Sequence, residues 1–481
     1  MEHIIPELRQ IVGDNHILTN PVDTSSYLAE SRHRYTSECL GVVLPENAIE
    51  VTKIVEICAK NEIGIVPQGG NTGTVGGAVA EPNQILLNLK RMNQILSVDP
   101  GSYTMTVQSG CILEAVKDEA KKHSRLFPLT LGAQGSCQIG GNIATNAGGV
   151  NVLHYGNTRD LVLGLEVVLA SGQIWDGLSD LRKDNTGYDL KNLFIGSEGT
   201  LGVITAATLK LFPDPQGNAV FLIGLSSPTR ALQLLDVLKI ASGDRLTTFE
   251  LMSNIAVQSA VQHIEYQSDP FKSQHPWYVL VIAQSSNSDP NMKDQIMDTL
   301  SLQLENQIID DVLIAQNQTQ ADAFAQLREN VVIAQKSLGA SIKHDVSVPI
   351  SGIPGFLELA FQRVVSRFPG ARPYAFGHMG DGNIHFNVSQ PKHENPANFL
   401  AKWEIMNELV YDLVSDLKGS FSAEHGVGIS KINKMEKYKD PVELELLRNI
   451  KNTLDPQNLF NRGKIIREGS WKNCRENCRE N

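Results

Sequence analysis

At 481 residues, 41% of them hydrophobic and 20% charged, the chain is too long for one hydrophobic core and has the make-up of an ordinary globular protein of two or three domains. Its 53 acidic residues outnumber 42 basic ones, a formal charge of -11 that works against binding a phosphate backbone, and no stripe of Lys and Arg offsets it. No apolar run approaches the ~20 residues that span a bilayer, and the opening MEHIIPELRQIVGD has the layout of neither a secretory signal nor a transit peptide, so the cytosol is expected, or an organelle if a presequence has been removed.

Residues 41 to 67 read as a β-α-β unit. Val51, Ile54, Val55 and Cys58 recur at helical spacing, Asn47 with Glu50 resembles a capping box, and Gly64 can end the helix. The second strand runs into QGGNTGTVGG, where Gly69, Gly70, Gly73, Gly76 and Gly77 let backbone N–H groups turn inward without Cβ obstruction, as an anion cradle requires. Short alternating strands follow, with Met105 and Val107 inward, then a helix from Leu113 to Lys122. A second glycine-rich stretch, LGAQGSCQIGGNIATNAGG, is too poor in large side chains to fill a core. It suits a flat ligand lying against backbone. A hairpin turning at Ser171-Gly172 leads to a third such stretch, DNTGYDLKNLFIGSEGTLGVIT. Three glycine-rich loops in succession point to one elongated ligand, yet no GxGxxG follows a strand and no GxxxxGK[ST] occurs.

Past Pro213-Asp214-Pro215 the glycines thin out and longer strand and helix patterns begin, which marks a domain boundary. The run HMGDGNIH then sets two histidines around a turn. With Asp381-Gly382 as a two-residue hairpin turn, Gly380 opposes Asn383, Met379 opposes Ile384 and His378 faces His385 on the same side. Two imidazoles so placed, with the later pair Glu424-His425 supplying an acidic ligand and a base, make an O/N site with an open position that suits Zn or another borderline divalent cation. From about Ala397 the pattern is helical, and DPQNLFNRGKI ends the folded part. The six cysteines lack CxxC pairs and are expected to be reduced thiols, and the tail NCRENCREN reads as a frayed end.

PQGGNTG, IGGNIATNAGG and FIGSEGTLGVIT resemble the FAD-binding motifs of the vanillyl-alcohol-oxidase (PCMH) type of flavoprotein. HMGDGNIH, SAEHG and DPQNLFNRGK resemble the carboxyl-terminal half of its D-2-hydroxyacid dehydrogenase branch, and within it the members acting on D-2-hydroxyglutarate. The resemblance spans about residues 40 to 466. It implies an α+β fold: an N-terminal segment 1–40, a two-part PCMH-type FAD-binding domain 41–215, a smaller α+β antiparallel-sheet substrate domain 216–396 carrying the metal hairpin, a C-terminal helical segment 397–466 returning to the flavin, and a tail 467–481.

By the same resemblance Pro67, Gly69, Gly70, Asn71, Thr72, Gly73 and Thr74 hold the FAD pyrophosphate. Gly132, Gly135, Ser136, Gly140, Gly141, Asn142, Thr145 and Asn146 pass along the isoalloxazine and ribityl chain. Gly199, Gly202 and Ile204 contact the adenosine end, and Asn461 and Lys464 approach the flavin from the closing segment. Covalent members place a His where this chain has Asn71, so FAD is expected to bind without a covalent bond. Arg462 replaces the proline of the usual NPGK. His378, His385 and Glu424 become metal ligands and His425 the catalytic base. Asn387 contacts the substrate carboxylate, and Arg328 and Lys343 are the cations for a distal carboxylate, although Val332 stands where the pattern has a hydroxyl. The expected partners are a small 2-hydroxyacid and an electron acceptor such as electron-transfer flavoprotein or a quinone, in a chain that can form a homodimer. Three rivals remain: a D-lactate, glycolate or D-malate dehydrogenase of the same fold; a non-catalytic flavin-binding electron-transfer subunit, which has no use for the histidine pair; and a metal-stabilised protein with no flavin.

Overall fold

The helix expected after Asn47 spans Ala48–Lys60 in the computed structural model, which describes residues 4–32, 34–287 and 290–467. The Asn47 side chain accepts from the Glu50 N–H at 2.9 Å. Glu50 reaches back to the Glu46 N–H at 2.8 Å, one residue earlier than a standard capping box. Val51, Ile54, Val55 and Cys58 are its buried stripe, and they pack in one cluster with Ile65, Ile85 and Leu87 of the sheet beside them. The flanking strands Gly41–Val43 and Gly64–Gln68 each pair in parallel with Gln84–Asn88, which lies between them.

One compact unit comprises residues up to Gly148, 157 to 213, and 425 onward. Strand Ile17–Leu18, antiparallel to Gly41–Val43, makes that sheet four-stranded, and beside it the unit holds an antiparallel sheet in the order Ile95–Asp99, Thr104–Gln108, Val203–Lys210, Val162–Val168, Ile174–Gly177. The closing segment adds itself to the first sheet: the Ile65 N–H donates to Leu459 O at 2.8 Å and the Asn461 N–H to Ile65 O at 2.9 Å. Lys451 anchors that segment, donating to Thr200 O (2.7 Å), Phe460 O (2.9 Å) and the fully buried Asp455 carboxylate (2.6 Å). A buried ammonium so completely partnered is what lets a loop without regular structure hold one conformation.

The second unit comprises residues 149 to 156 and 214 to 424. Its eight-stranded sheet runs Asp311–Ile314, Gly217–Leu225, Trp277–Ser285, Leu246–Ser253, Arg372–His378, Asn383–Ser389, Ser341–Ile342, with Asp345–Ser347 also pairing to Asn383–Ser389. Every pairing in it is antiparallel. On one face Leu222, Met252, Leu280, Tyr374 and Phe376 pack under helices Asn254–His263 and Gln318–Ala334. The residues 397–424 that the sequence grouped with the closing segment fall in this unit, including helix Trp403–Asp416.

The hairpin around HMGDGNIH forms, but its register differs from the expected one. His385 lies opposite Phe376, not His378. The connection is a four-residue one, Met379 to Gly382, tightened by Met379 N–H to Gly377 O (3.0 Å), Asp381 N–H to His378 O (3.2 Å) and the Asn383 N–H to the Asp381 carboxylate (3.1 Å). A slip of two residues leaves every side chain on its original face, so hydrophobic alternation could not distinguish the two registers. The turn decided it, and an Asx bend at Asp381 replaced the two-residue turn.

Cys58, Cys111 and Cys137 are buried free thiols and Cys39 is half-buried, as expected. The tail reading, with Cys474 and Cys478, lies outside the described residues. Among the described residues no helix is long and apolar enough to cross a membrane.

Candidate metal centre and cofactor site

Strand alternation builds the metal cluster. Tyr374, Phe376 and His378 share a face with Met252 and Glu250 of the neighbouring strand, because Glu250 pairs with His378 and Met252 with Phe376. The apolar residues of that face are core, and the polar ones at its end converge. His378 and His385 are diagonal neighbours with ring centroids 5.6 Å apart and planes at 76°. Glu424 comes from the loop after helix Trp403–Asp416, held where the buried Asp345 carboxylate accepts its N–H at 3.1 Å. Ligand atoms of His378, His385 and Glu424 lie within 4.8 Å of one another. His385 Nε2 and Glu424 Oε1 are 3.5 Å apart, and two ligands on one tetrahedral Zn should be separated by about 3.4 Å. The donor set of two imidazoles and one carboxylate, with a position left open, fits a catalytic divalent ion.

Behind each histidine stands a carboxylate. Glu250 accepts from His378 Nδ1, which turns Nε2 toward the cluster, and Asp345 lies 3.8 Å from His385 Nδ1. A carboxylate bonded to the far ring nitrogen fixes the orientation of a metal-ligating histidine, as Glu250 does for His378. Arg328 completes the chain, donating from Nε to Glu250 at 2.7 Å while its guanidinium lies 5.5 Å over the Phe376 ring. Burial alone would raise the Glu250 carboxyl, but the Arg328 guanidinium and His378 hold it down at about 2. Burial opposes the His378 imidazolium, and Glu250 outweighs it, lifting His378 to about 9. Because Glu250 orients the His378 ring, Glu250→Gln is expected to weaken metal binding about 10–100-fold. Competition against a chromophoric chelator measures this, and an unchanged affinity would remove Glu250 from the site.

Neither carboxylate was anticipated. The available signal was one acid, Glu250, inside the otherwise uncharged strand LTTFELMS, buried along its whole length. Asn387, on the same face as His385, donates its amide to Gln335 Oε1 at 2.9 Å. Lys343 is half-buried between the two short strands that flank it. Val332 is exposed, one turn beyond Arg328 on its helix.

The cofactor loops of the other unit pack against each other. A Cβ at Gly70 would stand 2.1 Å from Ser136 O, and one at Gly69 would touch Gln138 and the Gly141 N–H. Added at Gly73, Gly132 or Gly141 it would meet nothing within 4 Å. Among the described residues none accepts a hydrogen bond from the N–H of Gly70, Asn71, Thr72, Gly73 or Thr74. An open glycine-lined surface with a run of N–H groups unclaimed by protein fits the pyrophosphate of FAD. The N-terminal segment braces this loop: Asn71 donates to Tyr27 O (3.2 Å) and Ala29 O (2.8 Å), and Ser31 to Gly73 O (2.6 Å).

Other expected cofactor positions also make contacts within the protein. Gly140 admits Ser109, Gly202 admits Val167, and Ile204 is a buried strand residue paired with Val167. Asn142 donates to Cys137 Sγ, Thr145 to Gly141 O, and Asn146 accepts the Arg159 N–H, while Pro67 lies under Gly199. Gly135 and Ser136 are exposed. Asn461 and Lys464 staple the first and third loops together: Asn461 Nδ2 donates to Glu198 O (2.6 Å), and Lys464 Nζ to Gly77 O (2.9 Å) and Asn461 Oδ1 (2.8 Å). Burial pushes the Lys464 ammonium down to about 7, against the pull of Glu198 and Glu81. Arg462 binds Asn458 O at 2.7 Å and Glu62 O at 3.0 Å, so the turn closes without the proline.

Two family models match: "FAD binding domain" over residues 39–177 and "FAD linked oxidases, C-terminal domain" over residues 214–465. A mitochondrial D-2-hydroxyglutarate dehydrogenase of Arabidopsis thaliana is 34% identical over 97% of this chain and 82% of its own length. The D-2-hydroxyglutarate dehydrogenase of Xanthomonas citri pv. viticola is 36% identical over 96% of each. Among solved structures, substrate-bound p-cresol methylhydroxylase aligns with a TM-score of 0.77 at 17% identity, covering 97% of this chain and 96% of that one, which shows a PCMH-type fold.

Proposed function

Since the chain belongs to the family of FAD-linked oxidases, and to its D-2-hydroxyacid dehydrogenase branch, we propose that it oxidises D-2-hydroxyglutarate to 2-oxoglutarate with FAD and a divalent metal, Zn first among candidates. The observation that carries the metal requirement is the His378, His385 and Glu424 cluster with Glu250 oriented behind it. These three residues would hold the ion, whose Lewis acidity favours loss of the C2 hydroxyl proton. The loop Pro67–Thr74 and its glycine-rich neighbours would hold FAD without a covalent bond, and FAD supplies the acceptor for a hydride.

The protein's own part is binding, orientation and one proton. Asn387 takes an oxygen of the C1 carboxylate, and Arg328 and Lys343 take the distal carboxylate. His425, directly after Glu424 in the chain, accepts the hydroxyl proton while hydride leaves C2. Contacts to the distal end serve turnover only by holding C2 in the reactive pose, so losing one lowers kcat as well as affinity.

Anaerobic flavin bleaching by a panel of D- and L-2-hydroxyacids, with and without chelator, tests this. D-2-hydroxyglutarate is expected to bleach the flavin only when metal is present. Lys343→Ala should lose about 10–100-fold in kcat/KM on D-2-hydroxyglutarate and little on D-lactate, the range of a charged hydrogen bond. Equal losses on both acids would deny Lys343 a distal role. A second reading, oxidation of D-lactate or glycolate, which have no distal carboxylate, is favoured by the engagement of Arg328 with Glu250 and by the absence of a hydroxyl at Val332. The same panel separates the two.

A further inference from the structure

Glu198, in the third glycine-rich loop, is buried, and among the described residues its carboxylate makes no ion pair at contact distance. Its oxygens accept the N–H groups of Val427 and Gly428, each at 2.7 Å. Consecutive N–H groups turned to one side form a nest for an anion, and here a side chain of the protein fills it. The bend that turns them follows His425 directly. Gly426 at φ +83 and Gly428 at φ +51 make it, and a Cβ on Gly426 would stand 2.6 Å from Glu198 Oε1. On its far side Val75 O accepts from Ile429 (3.0 Å) and Ser430 (3.2 Å).

Glu198 is itself fixed at both ends of its backbone: its N–H donates to Ala144 O at 2.7 Å and its carbonyl accepts from Asn461 Nδ2 at 2.6 Å, with φ at +50. Burial raises its carboxyl, and the two N–H donors with Lys431 and Lys464 oppose that rise. A left-handed non-glycine residue persists only where its surroundings hold it, and here both backbone groups of Glu198 are held.

We propose that Glu198 is a positioning residue for the reaction: it sets the turn after His425 and thereby aims the imidazole. The inference rests on the reading of His425 as the base. Misplacing a reacting group by about 1 Å costs on the order of a hundredfold in rate. Glu198→Gln keeps the size of the side chain but turns one acceptor into a donor facing an N–H. The expected result is a bleaching rate at saturating substrate about 100-fold lower, with KM within about threefold of wild type and the flavin-to-protein ratio unchanged. In a His425→Gln background Glu198→Gln should cost nothing more, because a residue acting through the imidazole has nothing left to aim.

Glu198→Asp, which keeps the charge but draws the carboxylate back from the two N–H groups, should repeat the pattern and decides the matter if Glu198→Gln fails to hold flavin. A wild-type bleaching rate in the variant read, or its full loss added on top of His425→Gln, overturns the proposal. A His425→Gln enzyme that bleaches at the wild-type rate defeats the base assignment instead, and that measurement is made on its own.

Discussion

His385→Ala is expected to lose its metal and about a thousandfold or more in kcat, because Lewis-acid activation of the hydroxyl is worth several kcal/mol and each 1.36 kcal/mol is tenfold in rate. Two donors, His378 and Glu424, would remain, and two protein ligands rarely retain a Zn ion against dialysis. The flavin content should be unchanged, since the cofactor loops belong to the other compact unit. The neighbours make the loss specific: Asp345 keeps its bonds to Asn383 Nδ2 (2.9 Å) and to the Glu424 N–H (3.1 Å), so the cluster's frame does not depend on the imidazole. Metal content by emission spectrometry and kcat on the same preparation are the measurements. A variant holding stoichiometric metal, or one turning over at the wild-type rate without it, would falsify the metal assignment.

His425→Gln should lower kcat about 10²–10⁴-fold, the contribution of a positioned general base, while metal and FAD both stay bound. Glutamine keeps hydrogen-bonding capacity near the place of the imidazole but cannot carry a proton away at neutral pH. KM should change little if the residue acts only as C2 reacts. Stopped-flow bleaching isolates this half-reaction from re-oxidation by the acceptor. A wild-type bleaching rate would assign proton removal to another group. This variant also addresses the non-catalytic reading, in which neither histidine replacement has anything to slow.

Much of the site was legible because it is made of short motifs whose chemistry is local. The glycine runs at 69–77 and 132–149 announce a backbone-lined ligand surface wherever they fall, and the helix Leu113–Lys122 followed directly from its spacing. Placing the two histidines on one sheet face needed the period of two along each strand and a hairpin between them, both readable from the run HMGDGNIH. What failed was the turn: Asp381-Gly382 reads as a hairpin signal, but the Asp381 side chain took the Asn383 N–H and lengthened the connection, moving His378 from opposite His385 to its diagonal. Gly202 and Ile204, in a motif with a cofactor signature, also pack against Val167, a contact with a distant strand that the motif does not announce.

Residue types and their order along the chain determined the ligand chemistry: which groups can cradle an anion, which can hold a cation, and which faces they share with the core. The tertiary structure alone decided what stands behind those groups. Glu250 reaches His378 from 128 residues away and Glu198 reaches the turn after His425 from 229, each across a sheet or loop contact. An acid within an apolar strand or a glycine loop carries no local mark of its partner, because a hydrogen bond between distant segments is created by the packing of the strands and loops that carry them.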